Sequence, residues 1–171
     1  MKSVEPVVRI ADKTNELAGR IGSLLFLPLI FVITFEIVMR YVFNSPTIWV
    51  HETSGYLLVV MAMVGGGYTF LHKGHVSVDI IYARLSTRGK AILDLIITAP
   101  FMLILYYVLV WKGAEFAWQA ITDMERSGSF WNPPIYLIKM FIPVGGFLLM
   151  IQGLAKIARD FTTVFTRAKL A

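Results

Sequence analysis

The stretch His51–Gly55, with the sequence HETSG, is the part of the chain closest to a catalytic motif. It begins like the zinc-protease pattern H-E-x-x-H, but Gly55 stands where the second histidine ligand is required, so this type of zinc site is excluded. His51 and His72 would lie ~31 Å apart along one helix at 1.5 Å per residue, too far to ligate one haem between helices. Ser54 lacks the glycine-flanked context of a serine nucleophile, and we interpret it as a packing residue.

Three charged residues form a second candidate group. Glu36 and Arg40 are four residues apart, so they share one side of a helix and can pair. Glu52, with His51 beside it, is expected at a similar depth across a short loop. Because unpaired charges are costly in a membrane, these side chains are expected to neutralise one another. This group has two interpretations: a static clasp between two helices, or a relay for ions or protons. We favour the clasp because no comparable cluster of charged residues continues toward the other side of the membrane.

The composition indicates a membrane protein and excludes sulfur chemistry. Of the 171 residues, 57% are hydrophobic and 16% are charged, whereas soluble domains have about 45–50% apolar and about 25% charged residues. The chain has no cysteine, so it has no disulfide framework, no thiolate metal site and no cysteine nucleophile.

Four stretches with few charges predict membrane spans at about 21–42, 49–71, 91–111 and 135–157. Each approaches the ~20 residues that a helix needs to cross the hydrocarbon core. We therefore predict an all-α integral membrane protein, a single domain over residues 1–171 with an amphipathic segment at 1–20 and a tail at 158–171. The chain shows no convincing internal repeat, which counts against a self-sufficient transporter built from inverted repeats.

The basic residues are distributed unevenly around these spans, and this distribution predicts the orientation. Twelve of the sixteen Lys and Arg residues fall on the side of the termini. By the positive-inside rule, both termini are therefore expected in the cytoplasm. The net charge of +5 follows from this topology, and no nucleic-acid partner is needed to explain it. The basic residues on the outer side are Arg40, Lys112, Arg126 and Lys139.

Two connecting segments have the pattern of amphipathic helices that lie in the membrane interface. In the first, six apolar residues share one face: Val7, Ile10, Ala11, Leu17, Ala18 and Ile21. In the second, four recur among charged residues: Val76, Val78, Ile81 and Leu85. A lead-in to the next span without a function of its own is the other interpretation of both. On the outer side, the aromatic residues of the segment 112–134 are typical of an interfacial belt.

Small residues recur in the second and fourth spans. Ala62 and Gly66 form a small-xxx-small pair beside Gly65, and Gly145 and Gly146 follow a proline. Such positions let helix backbones approach closely in lipid. Docking of another membrane protein and internal packing of the four helices both fit this pattern. The chain also carries Pro28, Pro100 and Pro143, each of which predicts a local kink in its helix.

A series of short motifs resembles the small membrane subunit, the Q or DctQ-like subunit, of TRAP transporters. In order, the motifs are Glu36-x-x-x-Arg40-Tyr41-Val42-Phe43, Trp49-x-x-Glu52 with Tyr56, Gly65-Gly66, and His75-Val76-x-Val78-Asp79. The length, the four spans and the late proline are similar as well. The one departure is the run of three glycines that ends at Gly67, which is richer in glycine than the family pattern.

The resemblance implies a tripartite uptake system for organic acids that is driven by a sodium gradient. In such systems a periplasmic binding protein captures the carboxylate, a large subunit in the bacterial inner membrane carries the sodium and substrate sites, and the small subunit braces it. The chain is then expected to have no catalytic, substrate or metal site and no cofactor of its own. By this likeness, Tyr41, Trp49, His75 and Asp79 have structural or docking roles, and the segments 43–47 and 112–134 meet the binding protein.

A membrane anchor subunit of a quinone or haem oxidoreductase is the alternative. It is suggested only by the three histidines and the many aromatic residues of the chain.

Overall fold

The computed structural model describes residues 5–72, 74 and 85–167, and in these residues the fold is all-α, as predicted. The helices are α1 (Glu5–Leu24), α2 (Phe26–Tyr41), α3 (Val50–Leu71), α4 (Thr87–Leu105), α5 (Gly113–Thr122), α6 (Tyr136–Lys139) and α7 (Phe141–Arg167). A π-helical segment, Tyr106–Lys112, joins α4 to α5. Four continuous helical stretches of the described chain are long and apolar enough to cross a membrane: Glu5–Tyr41, Val50–Leu71, Gly89–Thr122 and Tyr136–Val164.

Two of the three prolines that were expected to kink helices, Pro28 and Pro143, coincide with breaks between helices. A proline cannot donate to the carbonyl four residues earlier, and its ring crowds that carbonyl. Four residues before Pro28 is Leu24, where α1 ends, and four residues before Pro143 is Lys139, where α6 ends. Pro100, in contrast, lies inside α4.

The helix α7 is the centre of the bundle, and it contacts α1, α3, α4 and the π-helical segment. Glycines allow these close approaches. A Cβ atom added at Gly145 would lie 2.5 Å from the carbonyl oxygen of Met63 in α3, and one at Gly153 would lie 2.2 Å from the sulfur of Met102 in α4. Gly146 similarly faces Leu109, with 2.6 Å to its Cβ atom. The glycines of α7 therefore pack inside the bundle.

The small residues of α3 have a different environment. A Cβ atom at Gly65 or Gly66 would meet nothing within 4 Å, and Ala62 is exposed. Gly67, the next residue, is buried, and a Cβ atom there would lie 1.8 Å from the side-chain oxygen of Asn15. One side of α3 thus packs against the bundle, while the small-residue pair lies on an open side.

The third helical stretch is longer than the span that the sequence predicts. The helical path continues through Lys112 to Thr122, into residues that we expected to form an external loop. The cause is a row of small residues, Gly113, Ala117 and Ala120, which are buried. Gly113 faces Ile142 of α7, where an added Cβ atom would lie 2.9 Å from a methyl carbon. The external loop proper therefore begins at Asp123.

The first helix is amphipathic, as the N-terminal pattern predicts. Ala11, Asn15, Gly19 and Gly22 are buried against the bundle. The exposed apolar residues on its other faces are Val7, Ile10, Leu17, Ile21 and Leu24. The second expected interfacial segment, which begins at Val76, lies outside the described residues except for its end.

Buried amides connect α1 to α7. The Nδ2 atom of Asn15 donates to the Oε1 atom of Gln152 over 2.9 Å, and Gln152 donates in turn to Asp12 over 2.9 Å. Arg159 also donates to Asp12. Asn15 and Gln152 are almost completely shielded from solvent. Because a buried amide is stable only when hydrogen-bonded, this network fixes α1 in one position on the bundle.

We predict that Gly67→Ala destabilises the protein, because the new methyl group would overlap the Asn15 side chain and approach the carbonyl oxygen of Leu148, 3.0 Å away. The expected cost is about 1–3 kcal/mol, typical of overpacking. The matched control is Gly66→Ala, whose methyl group enters open space and which should gain up to about 1 kcal/mol in helix propensity. Thermal unfolding in detergent measures both. Equal melting temperatures would contradict the described packing.

Candidate functional site

The end of α2 and the start of α3, which we call the outer ends after the predicted orientation, hold the charged residues that the sequence singles out. Arg40, in the last turn of α2, donates to Glu36 one turn earlier, with 3.0 Å from Nε and 2.6 Å from Nη2 to the same oxygen. The other oxygen of Glu36 accepts from the backbone N–H of Thr47 over 3.1 Å and from the Thr47 hydroxyl. Glu36 thus connects α2 to the short loop that leads into α3.

Glu52 has different partners from those that the clasp hypothesis requires. The Tyr56 hydroxyl donates to it over 3.0 Å, and the hydroxyl groups of Ser127 and Ser129 also interact with it. No ion pair joins Arg40 to Glu52 in the described chain. The three residues therefore form two separate contacts and not one clasp. Arg40 pairs with Glu36 on its own helix, and Glu52 interacts with hydroxyl groups of the outer loop.

Trp49 lies between α2 and the outer loop. Its ring centroid is 5.9 Å from that of Phe35 in α2 and 6.5 Å from that of Trp131 in the loop. These tilted pairs have the geometry of favourable aromatic contacts. Tyr41, another motif position, is exposed. His75 and Asp79 lie outside the described residues.

The outer loop between α5 and α6 is held by its own hydrogen bonds. The backbone N–H of Ser127 donates to the carbonyl of Pro133, and that of Ile135 donates to the carbonyl of Glu125, each over 3.1 Å. Gly128 donates to the Asn132 side chain over 3.2 Å. The loop includes two residues other than glycine with positive φ, Met124 and Asn132, a conformation that costs free energy. The fold therefore maintains one specific loop shape.

This loop presents Phe130 to solvent with its side chain 100% exposed. The sequence alone places Phe130 among the aromatic residues of an interfacial belt. Neither the tip position of Phe130 nor the contact of the serines with Glu52 has a local signal, because both depend on how the loop folds back over α3.

Lys139 contacts the helical extension on the outer side. Its ammonium group is 2.5 Å from a carboxylate oxygen of Glu125 and 3.9 Å from the centroid of the Phe116 ring. Only 15% of the side chain is exposed. Lys139 therefore joins α6 to the outer loop through the ion pair with Glu125 and to α5 through the cation–π contact with Phe116.

A second polar cluster lies at the other end of the bundle. Lys156 of α7 pairs with Asp94 of α4 over 2.6 Å and with Asp160 over 2.8 Å. His72, just after α3, contacts Glu16 of α1 over 2.8 Å. Among the described residues, the fully buried polar side chains are Asn15 and Gln152, and these also connect α1 to α7. The two clusters hold helices together at opposite ends of the bundle.

A bundle of four membrane-spanning stretches with polar contacts between helices at both ends defines a multi-pass α-helical membrane protein. The family model of the DctQ component of tripartite ATP-independent periplasmic transporters matches residues 29–163. The match covers more than half of the chain, so the chain belongs to the DctQ family. The members of this family are transporter components and not enzymes.

Three relatives agree with this assignment. A Haemophilus influenzae protein assigned as a TRAP transporter small permease is 37% identical over 75 residues, which are 44% of this chain and 46% of that protein. The ectoine TRAP transporter small permease protein of Halomonas elongata is 20% identical over 75% of this chain and 65% of its own length. The sialic acid TRAP transporter permease of Haemophilus influenzae is 24% identical over 74% of this chain.

The matches span less than two thirds of each relative. In the sialic acid permease the matched region is 21% of the protein, so a segment similar to this chain is there part of a much longer permease polypeptide. The family also argues against the alternative of a quinone or haem anchor subunit, because its members are transporter components.

We predict that Glu36→Ala lowers the melting temperature more than Arg40→Ala does. Glu36 is 14% exposed and accepts hydrogen bonds from both Arg40 and Thr47, whereas Arg40 is 54% exposed, and exposed ion pairs contribute little. Glu115→Ala, which removes the exposed pair with Lys112, is the control and should have almost no effect. Fluorescence-detected melting in detergent makes the comparison. An equal or larger loss for Arg40→Ala would restore the original clasp hypothesis.

Proposed function

We propose that this chain is the small membrane subunit of a sodium-coupled tripartite importer of organic acids. It stabilises the large transport subunit and helps the periplasmic binding protein to dock, with both of its own termini in the cytoplasm. It binds neither the substrate nor a cofactor, and the sodium gradient is used by the large subunit. The observation that carries this proposal is the open small-residue side of α3, together with the family.

The open side of α3 has the features of a helix-docking surface. Added Cβ atoms at Gly55, Gly65 and Gly66 would meet nothing within 4 Å, and the neighbouring Leu58 is exposed. In lipid, where burial of apolar surface gives no driving force between helices, small residues permit the close contacts that hold helices together. A second membrane protein can thus approach α3 here without any rearrangement of this chain.

The match to the sialic acid permease supports a large membrane partner. A segment similar to this chain occupies about a fifth of that longer protein. In that protein, the small segment and a much larger permease region are therefore parts of one polypeptide. If the small subunit and the large permease are separate chains, they must be held together by a non-covalent interface. The open side of α3 is the surface that we assign to it.

We predict that Gly66→Trp prevents co-purification with the large permease subunit while leaving the isolated chain folded. The indole would enter open space in this chain but would occupy the position of the partner helix. Leu103→Trp, at an exposed position of α4, is the matched control and should co-purify normally. Affinity purification of the tagged chain from co-expressing cells measures the association. Retention of the large subunit by Gly66→Trp at the wild-type ratio would refute the assigned interface.

The outer loop supports a role in binding-protein docking. Phe130 is fully exposed at the tip of a loop whose backbone hydrogen bonds keep it in one shape. A rigid aromatic side chain loses little conformational entropy on binding, which is why aromatic residues are frequent energetic centres of interfaces. The residues around it are polar, including Ser127, Ser129 and Asn132, as expected of a loop that meets a soluble partner.

We predict that Phe130→Ala weakens the affinity of the membrane complex for the binding protein by about 10-fold or more, equivalent to about 1.4 kcal/mol or more for an interface centre. Met124→Ala, which removes an exposed side chain at the start of the same loop, is the control and should have a smaller effect. Surface plasmon resonance with the reconstituted complex gives the affinity, and substrate uptake into proteoliposomes gives the function. Unchanged affinity and uptake in Phe130→Ala would place the docking surface elsewhere.

A further inference from the structure

A cavity of about 180 Å³ lies between the outer ends of α2 and α3. Its apolar part is formed by Ile33, Ile37 and Val50, and its polar part by Glu36, Arg40, His51 and Ser54. The cavity is smaller than the roughly 300 Å³ at which pockets for whole small molecules begin. It can therefore enclose a compact polar group, while the rest of a larger ligand stays outside.

The polar part retains hydrogen-bond donors for an anionic group. Arg40 uses Nε and Nη2 to bind Glu36, and a guanidinium has five N–H donors in total. The Nη1 group makes no hydrogen bond within the described chain. Both oxygens of Glu36 are engaged, by Arg40 and by Thr47. His51 is exposed at the cavity, and Ser54 donates to the His51 carbonyl over 2.9 Å, so it shapes the cavity without adding a donor.

The apolar part continues along the membrane-spanning helix. Ile30, Ile33 and Ile37 of α2 are exposed, and their spacing of three and four residues places them in one row along the helix. This row leads from the cavity toward the middle of the span. A ligand with an anionic head and a long apolar tail would match both parts, whereas a free anion would match only the first.

We propose that this cavity binds the phosphodiester head group of a membrane phospholipid, with Arg40 and His51 as the donors and an acyl chain along the isoleucine row of α2. A guanidinium binds phosphate oxygens well because its N–H groups are arranged in a planar fork. The lipid would fill the space between α2 and α3, on a helix, α2, that in the described chain meets mainly α3 and α1. The residues that line this site differ from those assigned to the docking surfaces on α3 and the outer loop.

Native mass spectrometry of the full-length chain tests the site. The purified chain in a mild detergent is supplied with short-chain phosphatidylglycerol or phosphatidylethanolamine, and the lipid adducts that survive are counted. We expect one tightly retained phospholipid per wild-type chain. Ile37→Trp fills the apolar part of the cavity and should reduce retention by about 10-fold. Phe31→Trp, at an exposed position of α2 that does not line the cavity, is the matched control and should retain the lipid.

Two further measurements keep the test decisive. Arg40→Gln should reduce retention as well, and circular dichroism of both variants separates lipid loss from unfolding. Addition of inorganic phosphate at millimolar concentration distinguishes a site for a phospholipid head group from a site for free phosphate. Failure of phosphate to displace the lipid supports the proposal, whereas displacement of the lipid by phosphate identifies a simple anion site and overturns it. Equal lipid retention by Ile37→Trp and Phe31→Trp also overturns it.

Discussion

The close approach of α3 and α7 is the contact on which the rest of the bundle depends. Between helices in lipid, burial of apolar surface provides no driving force, so association relies on dense packing and on hydrogen bonds. Gly145 brings the backbone of α7 against the Met63 carbonyl, and Gly67 brings α3 against the Leu148 carbonyl and the Asn15 side chain. Once these two helices are in contact, α4 packs against α7 at Gly153, and the hydrogen bond between Asn15 and Gln152 positions α1 on α7.

The polar contacts of the protein are concentrated at the two ends of this bundle, and this has a functional consequence. At the outer end, Glu36 holds the loop before α3, and Glu52 contacts the loop that carries Phe130. At the other end, Asp12 and Lys156 connect α7 to α1 and α4. Glu36, Asp12 and Lys156 are paired with opposite charges and Glu52 interacts with hydroxyl groups, as the cost of unpaired charge in a membrane demands. Such an arrangement fixes surfaces for partners, which is consistent with a stabilising subunit of a larger transporter.

Much of the fold follows from the order of residues alone. The four apolar stretches, the amphipathic pattern of α1 and the helix breaks near Pro28 and Pro143 all follow from local rules of hydrophobicity and backbone geometry. The pairing of Glu36 with Arg40 is equally local, because four residues are one helical turn. The orientation of the termini stays a prediction from the distribution of basic residues. Local rules failed at Lys112 to Thr122, where helix continues because small residues pack against α7, and in the pairing of Glu52, which depends on a loop more than seventy residues later.

The sequence by itself determined that this chain crosses a membrane and which family of transporter components it belongs to, because span length and short motifs are properties of consecutive residues. Only the tertiary structure decided which small residues are buried and which are open. Gly65, Gly66 and Gly67 are three consecutive glycines that the sequence cannot distinguish, yet the first two face open space and the third contacts Asn15. Successive residues on a helix point in directions about 100° apart, so their environments depend on where α1 and α7 lie, and that position is set by packing between distant parts of the chain.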